Sequence, residues 1–203
     1  GGYYSTSYLS TGYVDELRVT KGTARYTSNF TPQATEFYPS TALGDITSNN
    51  NDSLLDGPSL VTTQPKHYSF DGTNDFIRTL SNASTFETQT GTAIVWAYKS
   101  DWTSIADTFD IIVGNQRAGG SNGGWTIGRN GSNLNFEIRD GSSWKTISYA
   151  LSNISSGWHQ IAATWDGSNI KLYVDADQES SDSYGGTITY QSWPVYIGVY
   201  YNS

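Results

Sequence analysis

Residues 156–175 read SGWHQIAATWDGSNIKLYVD, and their reading decides the fold class. Ile170, Leu172 and Val174 alternate with Lys171, Tyr173 and Asp175, the period-two pattern of a strand with one face on a core. Asp166-Gly167 ahead of that strand tolerates the positive φ of a tight turn. The segment is therefore a β-hairpin. The same grammar recurs outward from it. Leu134, Phe136 and Ile138 oppose Asn135, Glu137 and Arg139, and Asp71-Gly72, Asn130-Gly131 and Asp140-Gly141 separate further apolar runs. TAIVWAY (92–98) and FDIIVG (109–114) are dense enough in apolar residues to run through the middle of a sheet. No window carries the i, i+3, i+4, i+7 stripe of an amphipathic helix. The 203-residue chain has 15 Tyr, 7 Trp and 21 Gly with only 15% charged residues, a mixture that favours strands and tight turns. An antiparallel all-β sandwich or barrel around one core is expected.

Three stretches carry a resemblance to a known family. GDITSNNNDSLLDGPSL (44–60), KHYSFDGTNDFIRT (66–79) and SGWHQIAATWDGSNIKLYVD (156–175) together resemble a laminin-G-like module of the concanavalin A-like lectin/glucanase superfamily. The resemblance implies an antiparallel two-sheet jelly roll. Inner faces are expected to include Trp96, Ile112, Phe136, Ile161, Leu172 and Ile197.

Against that pattern the chain is out of register. Residues 157–199 resemble the final hairpins of such a domain, yet no closing strand follows before Ser203. GYVDELRVT (12–20) with KGTARYTSNFTP (21–32) is similar to the missing closing strand and its exit segment. The division expected is a closing strand and exit at 1–36 and, at 37–203, a sandwich lacking its last strand. A circular permutant, a window cut from a tandem array and a subunit that lends its strand to a neighbour all fit. Without any Met, the chain reads as a processed piece. Donation between copies is the favoured arrangement, with Tyr13, Val14, Leu17 and Val19 entering the neighbour and Tyr200 and Tyr201 at the contact. The DELRVTKGTARYTSNFTP run is similar to modules of phage structural proteins and of large extracellular proteins. One conflict sits inside the strand: strict alternation buries Asp15 with Leu17 and Val19 and turns Val14 outward. A β-bulge at Asp15-Glu16 resolves it, as does a cation or a polar network awaiting Asp15.

Charge and composition bound the partners. A formal net charge of -8, with 11 Lys and Arg that form no cluster, argues against nucleic acid. No run approaches the roughly 18 apolar residues of a membrane span, so no membrane insertion is expected. Zero Cys excludes disulfides and thiolate sites. An extracellular, cell-surface or virion-surface setting follows from the resemblance.

Catalysis is not expected. The chain lacks Cys and a Gly-x-Ser-x-Gly elbow, and of its two histidines His159 reads as structural and His67 as a strand-edge residue. The acidic Glu-x-Asp-x-x-Glu strand that glucanases of this superfamily use to place two carboxylates is also absent. Calcium is the expected cofactor. FDGTNDF offers Asp71, Asn74 and Asp75, hard oxygens of the kind calcium takes, and the resemblance implies an acidic partner on the closing strand, Asp15 or Glu16. Ordinary turn capping explains the same residues equally well. Asp52 to Asp56 is a second, weaker candidate loop. For glycans, aromatic faces stack on sugar rings: Trp102, Trp125 and Trp144 are the candidates, while Trp96, Trp158 and Trp165 read as core. Two functions follow from this reading: a structural module of a surface or virion assembly built from copies of itself, or a calcium-dependent carbohydrate-binding adhesion module.

Overall fold

The structure, a computed structural model, describes residues 11–32, 53–56, 59–61, 67–79, 86–104, 109–115, 123–140, 143–191 and 193–198. Among the described residues fourteen strands form two seven-stranded sheets. In chain order they are β1 (Thr11–Lys21), β2 (Ser53–Asp56), β3 (Ser59–Val61), β4 (His67–Asp71), β5 (Phe76–Thr79), β6 (Gly91–Lys99), β7 (Phe109–Gly114), β8 (Gly124–Asn130), β9 (Asn133–Arg139), β10 (Trp144–Ala150), β11 (Gly157–Trp165), β12 (Asn169–Val174), β13 (Asp177–Ser183) and β14 (Tyr196–Ile197). The first sheet runs β13-β12-β11-β6-β1-β4-β3 and the second β10-β9-β8-β7-β14-β5-β2, with every pairing antiparallel. Helix is confined to one 3-10 turn, Leu151–Asn153, among the described residues, and no helix there is long and apolar enough to cross a membrane. This is the expected jelly-roll sandwich.

The core forms where the two inner faces meet. Trp165 of the first sheet lies 5.5 Å from Trp125 and 5.8 Å from Phe136 of the second, ring centre to ring centre, and all three are fully buried. Each contributes on the order of 2–3 kcal/mol through the apolar surface it removes from water. Ile112, Phe136, Ile161 and Leu172 face inward as expected, and Ile197 packs against the core's edge. Trp96 does not. Val95 and Ala97 take the core face of β6, so alternation turns Trp96 to the outer face, where it is half-buried.

Strand β1 lies between β6 and β4 in its own chain. The slot that the sequence leaves open is occupied here by the chain's own β1. Val14 is buried, and Leu17 and Val19 pack on the core. The register against β6 shifts between Asp15 and Arg18. That is the bulge required for Val14 and Leu17 to point the same way. The exit segment then runs over the outer face of the first sheet. Tyr26 and Phe30 stack 3.4 Å apart and meet Tyr173 edge-on, covering Ile94, Ala162 and Tyr173. Phe30 N–H donates to Ala176 O (3.1 Å) and Tyr173 Oη to Tyr26 O (3.0 Å). The Asn29 amide donates to Asp177 Oδ1 and accepts from the Gln178 N–H, which ties the exit segment to β13.

Candidate functional site

The start of β1, the ends of β4 and β6 and the loop after β6 enclose an open cleft of about 450 Å³ at one end of the sandwich. That size suits a small ligand. Gly12 makes the corner possible: its φ is +137°, and a Cβ there would lie 2.3 Å from Tyr98 O. The close approach seats the next residue, Tyr13, directly opposite Tyr98. Their rings stack at 5.0 Å and 25°. Because Val14 and Ala97 take the core face, Tyr13 and Tyr98 point outward. Trp158, opposite Tyr98 on β11, lies 5.7 Å from it and 6.2 Å from Tyr13. His67 sits 4.4 Å from Tyr13. Four half-buried rings from four strands thus form one platform, and two of them wall the cleft.

The cleft's other wall is polar. Lys99 Nζ donates to Asp110 Oδ2 at 2.5 Å, and Arg129 approaches the same oxygen at 3.4 Å. Arg129 also donates to Ser104 O (2.7 Å) and Gly131 O (2.9 Å). This buried ion cluster ties β6, β7, the 100–104 loop and the β8–β9 turn together, and the two cations commit the Asp110 carboxylate. Asp101 is different. It is exposed, and the Thr103 hydroxyl and then the Thr103 N–H donate to its carboxylate, holding its pKa below the usual range. It is an ionised acceptor at the mouth of the cleft. Ser69 and Ser100 add hydroxyls.

The tryptophans expected to bind sugar divide. Trp125 is fully buried against Trp165. Trp102 is also buried, with its Nε1 donating to Gly157 O (3.4 Å) and its ring against His159. Neither presents a face to a ligand. Trp102 follows a polar lysine-serine-aspartate run that reads as a loop, and the loop folds its ring inward. Trp144 is the one exposed large hydrophobic among the described residues, at 45%, with the Arg139 guanidinium 4.4 Å over its ring. Trp158, read as core, belongs to the platform instead. His159 is buried and bonded through both ring nitrogens, to Asp175 Oδ2 (2.6 Å) and Ser155 O (2.9 Å), as a structural residue is.

The acidic turn between β4 and β5 spends its carboxylates on its own backbone. Asp71 Oδ1 accepts from Thr73 N–H (2.7 Å) and Asp75 Oδ2 from Asp71 N–H (2.9 Å). Asp75 is buried, while Asn74 is exposed. Among the described residues no three His, Cys, Asp or Glu side chains are grouped to hold a metal. The side chains of Asp15, Glu16 and residues 52–56 lie outside the described part, as do Tyr200 and Tyr201. Tyr13, Val14, Leu17 and Val19, expected at a contact between copies, are placed in this chain's own sheet.

Solved structures share the architecture. The binding domain of botulinum neurotoxin serotype D superimposes with a TM-score of 0.62 at 17% identity over 78% of this chain and 41% of that one. For the binding domain of Paraclostridial Mosquitocidal Protein 1 the values are 0.56, 19%, 78% and 42%. A botulinum neurotoxin type C structure, whose cell entry is described as dependent upon interaction with two ganglioside molecules, gives 0.59, 15%, 79% and 40%. This chain spans about two fifths of those chains' length, and at such identity they show the fold. No curated protein matches the sequence. A family model matches residues 71–203, well over half of the chain. The chain belongs to the concanavalin A-like lectin/glucanase superfamily.

Proposed function

We propose that this domain is a non-catalytic glycan-binding module of an extracellular or surface protein, and that its ligand enters the cleft beside Tyr13 and Tyr98. The observation that carries the reading is the joining of a stacked aromatic platform to an ionised, exposed Asp101 in one open cleft. A sugar ring presents apolar C–H faces that pack on aromatic rings and hydroxyls that donate to a carboxylate. Catalysis finds no support there. A glycosidase acid needs a raised pKa, whereas that of Asp101 is lowered. The structural neighbours, which are binding domains and one toxin whose cell entry depends on gangliosides, favour a binding role. A filament built by strand donation has less support, since β1 occupies its own sheet.

A glycan array with and without calcium identifies the ligand, and calorimetric titration of variants locates it. Tyr98→Ala and Asp101→Asn should each weaken binding about tenfold, the loss of roughly 1.4 kcal/mol. Unchanged affinity in both variants would remove the cleft as the site.

A further inference from the structure

The outer side of the second sheet encloses a small hollow, and one glycine accounts for it. Thr126 and Gly128 of β8 stand opposite Glu137 and Asn135 of β9, and Ile111 of β7 stands opposite Gly128. Directly opposed residues share a face, and Ile127 and Phe136 take the core side, so these five lie together on the outer side. Gly128 brings no side chain to the group. A Cβ there would come within 2.5 Å of Asp110 O and 3.0 Å of Ile111 Cδ1, so the position stays bare. The register against β7 also shifts between Ile111 and Val113, a bulge that interrupts the ladder beside it. What remains is a cavity of about 10 Å³ whose lining includes all five residues.

Its walls are polar and closed to solvent. Thr126, Asn135 and Glu137 are 3%, 6% and 8% exposed. The Asn135 amide nitrogen donates to Glu137 Oε1 (3.2 Å), which leaves Asn135 Oδ1 in need of another donor. It has none in the protein, and neither has Thr126 Oγ1 a partner there. A buried polar atom in that state destabilises the native fold unless something satisfies it. The two atoms are complementary, since a hydroxyl can donate whereas an amide oxygen only accepts. One molecule that accepts from Thr126 and donates to Asn135 satisfies both. Size selects which molecule: a cavity needs about 10–15 Å³ and a few polar partners to admit one water, and this one has room for nothing larger. A bare cation suits the set less well. It could not use the Thr126 hydrogen, and it would meet Arg129, which lines the same cavity.

We propose that this cavity is a binding site for one structural water, which accepts from Thr126 Oγ1, donates to Asn135 Oδ1 and turns its second hydrogen toward the Glu137 carboxyl group. The water fills the place of the side chain that Gly128 lacks. It links β8 to β9 beyond their backbone ladder.

The test is a high-resolution crystal structure of the full chain beside Thr126→Val and Thr126→Ser, with thermal melts of all three. A single density peak within hydrogen-bond reach of both Thr126 Oγ1 and Asn135 Oδ1 is expected. Thr126→Val, which keeps the branched shape and removes the hydroxyl, should lose the peak and melt about 2–4 °C lower, the shift that one net hydrogen bond produces in a chain of this size. Thr126→Ser retains the hydroxyl and should retain the peak. A dry cavity behaves in the opposite way, because removing a buried hydroxyl that has no partner stabilises the fold. Absence of the peak in the native chain, or a Thr126→Val variant that melts at or above it, overturns the proposal. So does a melting temperature that falls when choline replaces sodium at equal ionic strength, since the occupant is then a cation.

Discussion

At the scale of single residues, the tryptophans separate packing from binding. Removing Trp125, fully buried between the sheets, should cost about 3–5 kcal/mol as Trp125→Ala. Trp144→Ala should stay within about 0.5 kcal/mol. Chemical denaturation compares the two, and similar losses would contradict the assignment of Trp125 to the core. Glu137 gives a pH signature. Burial pushes its carboxyl pKa up, against a smaller downward pull from the Asn135 amide. A raised native pKa means that the contribution is fully present below the unfolded value of about 4.3 and is lost as pH rises through the native value. Glu137→Gln should therefore melt higher than the native protein at pH 7, with the gain fading toward pH 4. A gain independent of pH would contradict a buried carboxyl. In the acidic turn, Asp71 and Asp75 cap backbone amides, so excess chelator should leave the melting temperature unchanged. The letters of the sequence do not distinguish Trp102 from Trp144, since both follow polar runs. Packing alone decides which ring turns in.

At the scale of elements, alternation made the inner faces legible and hid the outer ones. Leu134, Phe136 and Ile138 were readable as core because they are apolar at period two. Asn135 and Glu137 read as solvent-facing for the same reason, yet both are buried. Polarity in a strand tells which side a residue takes and not whether that side is covered. Trp96 misled in the opposite sense, because an unbroken apolar run such as TAIVWAY carries no parity signal. The closing strand was legible down to its bulge, since Val14 and Leu17 cannot both reach the core otherwise. That strand also predicts behaviour. Removing residues 1–21 would bare the edges of β6 and β4 and the core strip beneath Val14, Leu17 and Val19, and unpaired edges of this kind invite aggregation. The truncated chain should aggregate, and a GYVDELRVT peptide should rescue it. A truncated chain that stays monomeric with unchanged melting would show that β1 contributes little to the sheet.

At the scale of the whole molecule, the sandwich brings segments distant in sequence together around one cleft. The cleft is aromatic on one wall and carries an ionised acid on the other. On the outer face of the second sheet Thr126, Asn135 and Glu137 are buried. Fold class could be read from the chain because it rests on short-range periodicity and turn chemistry. The cleft could not, because Tyr13 and Tyr98 are 85 residues apart and meet only when β1 is placed beside β6. The most direct measurement is a map of amide chemical-shift changes as the neutral glycan that binds best in an array is titrated in. The account predicts saturable shifts centred on Tyr13, Ser69 and the 98–101 segment. Shifts that leave those residues untouched, while others move and saturate, would contradict the cleft as the binding site.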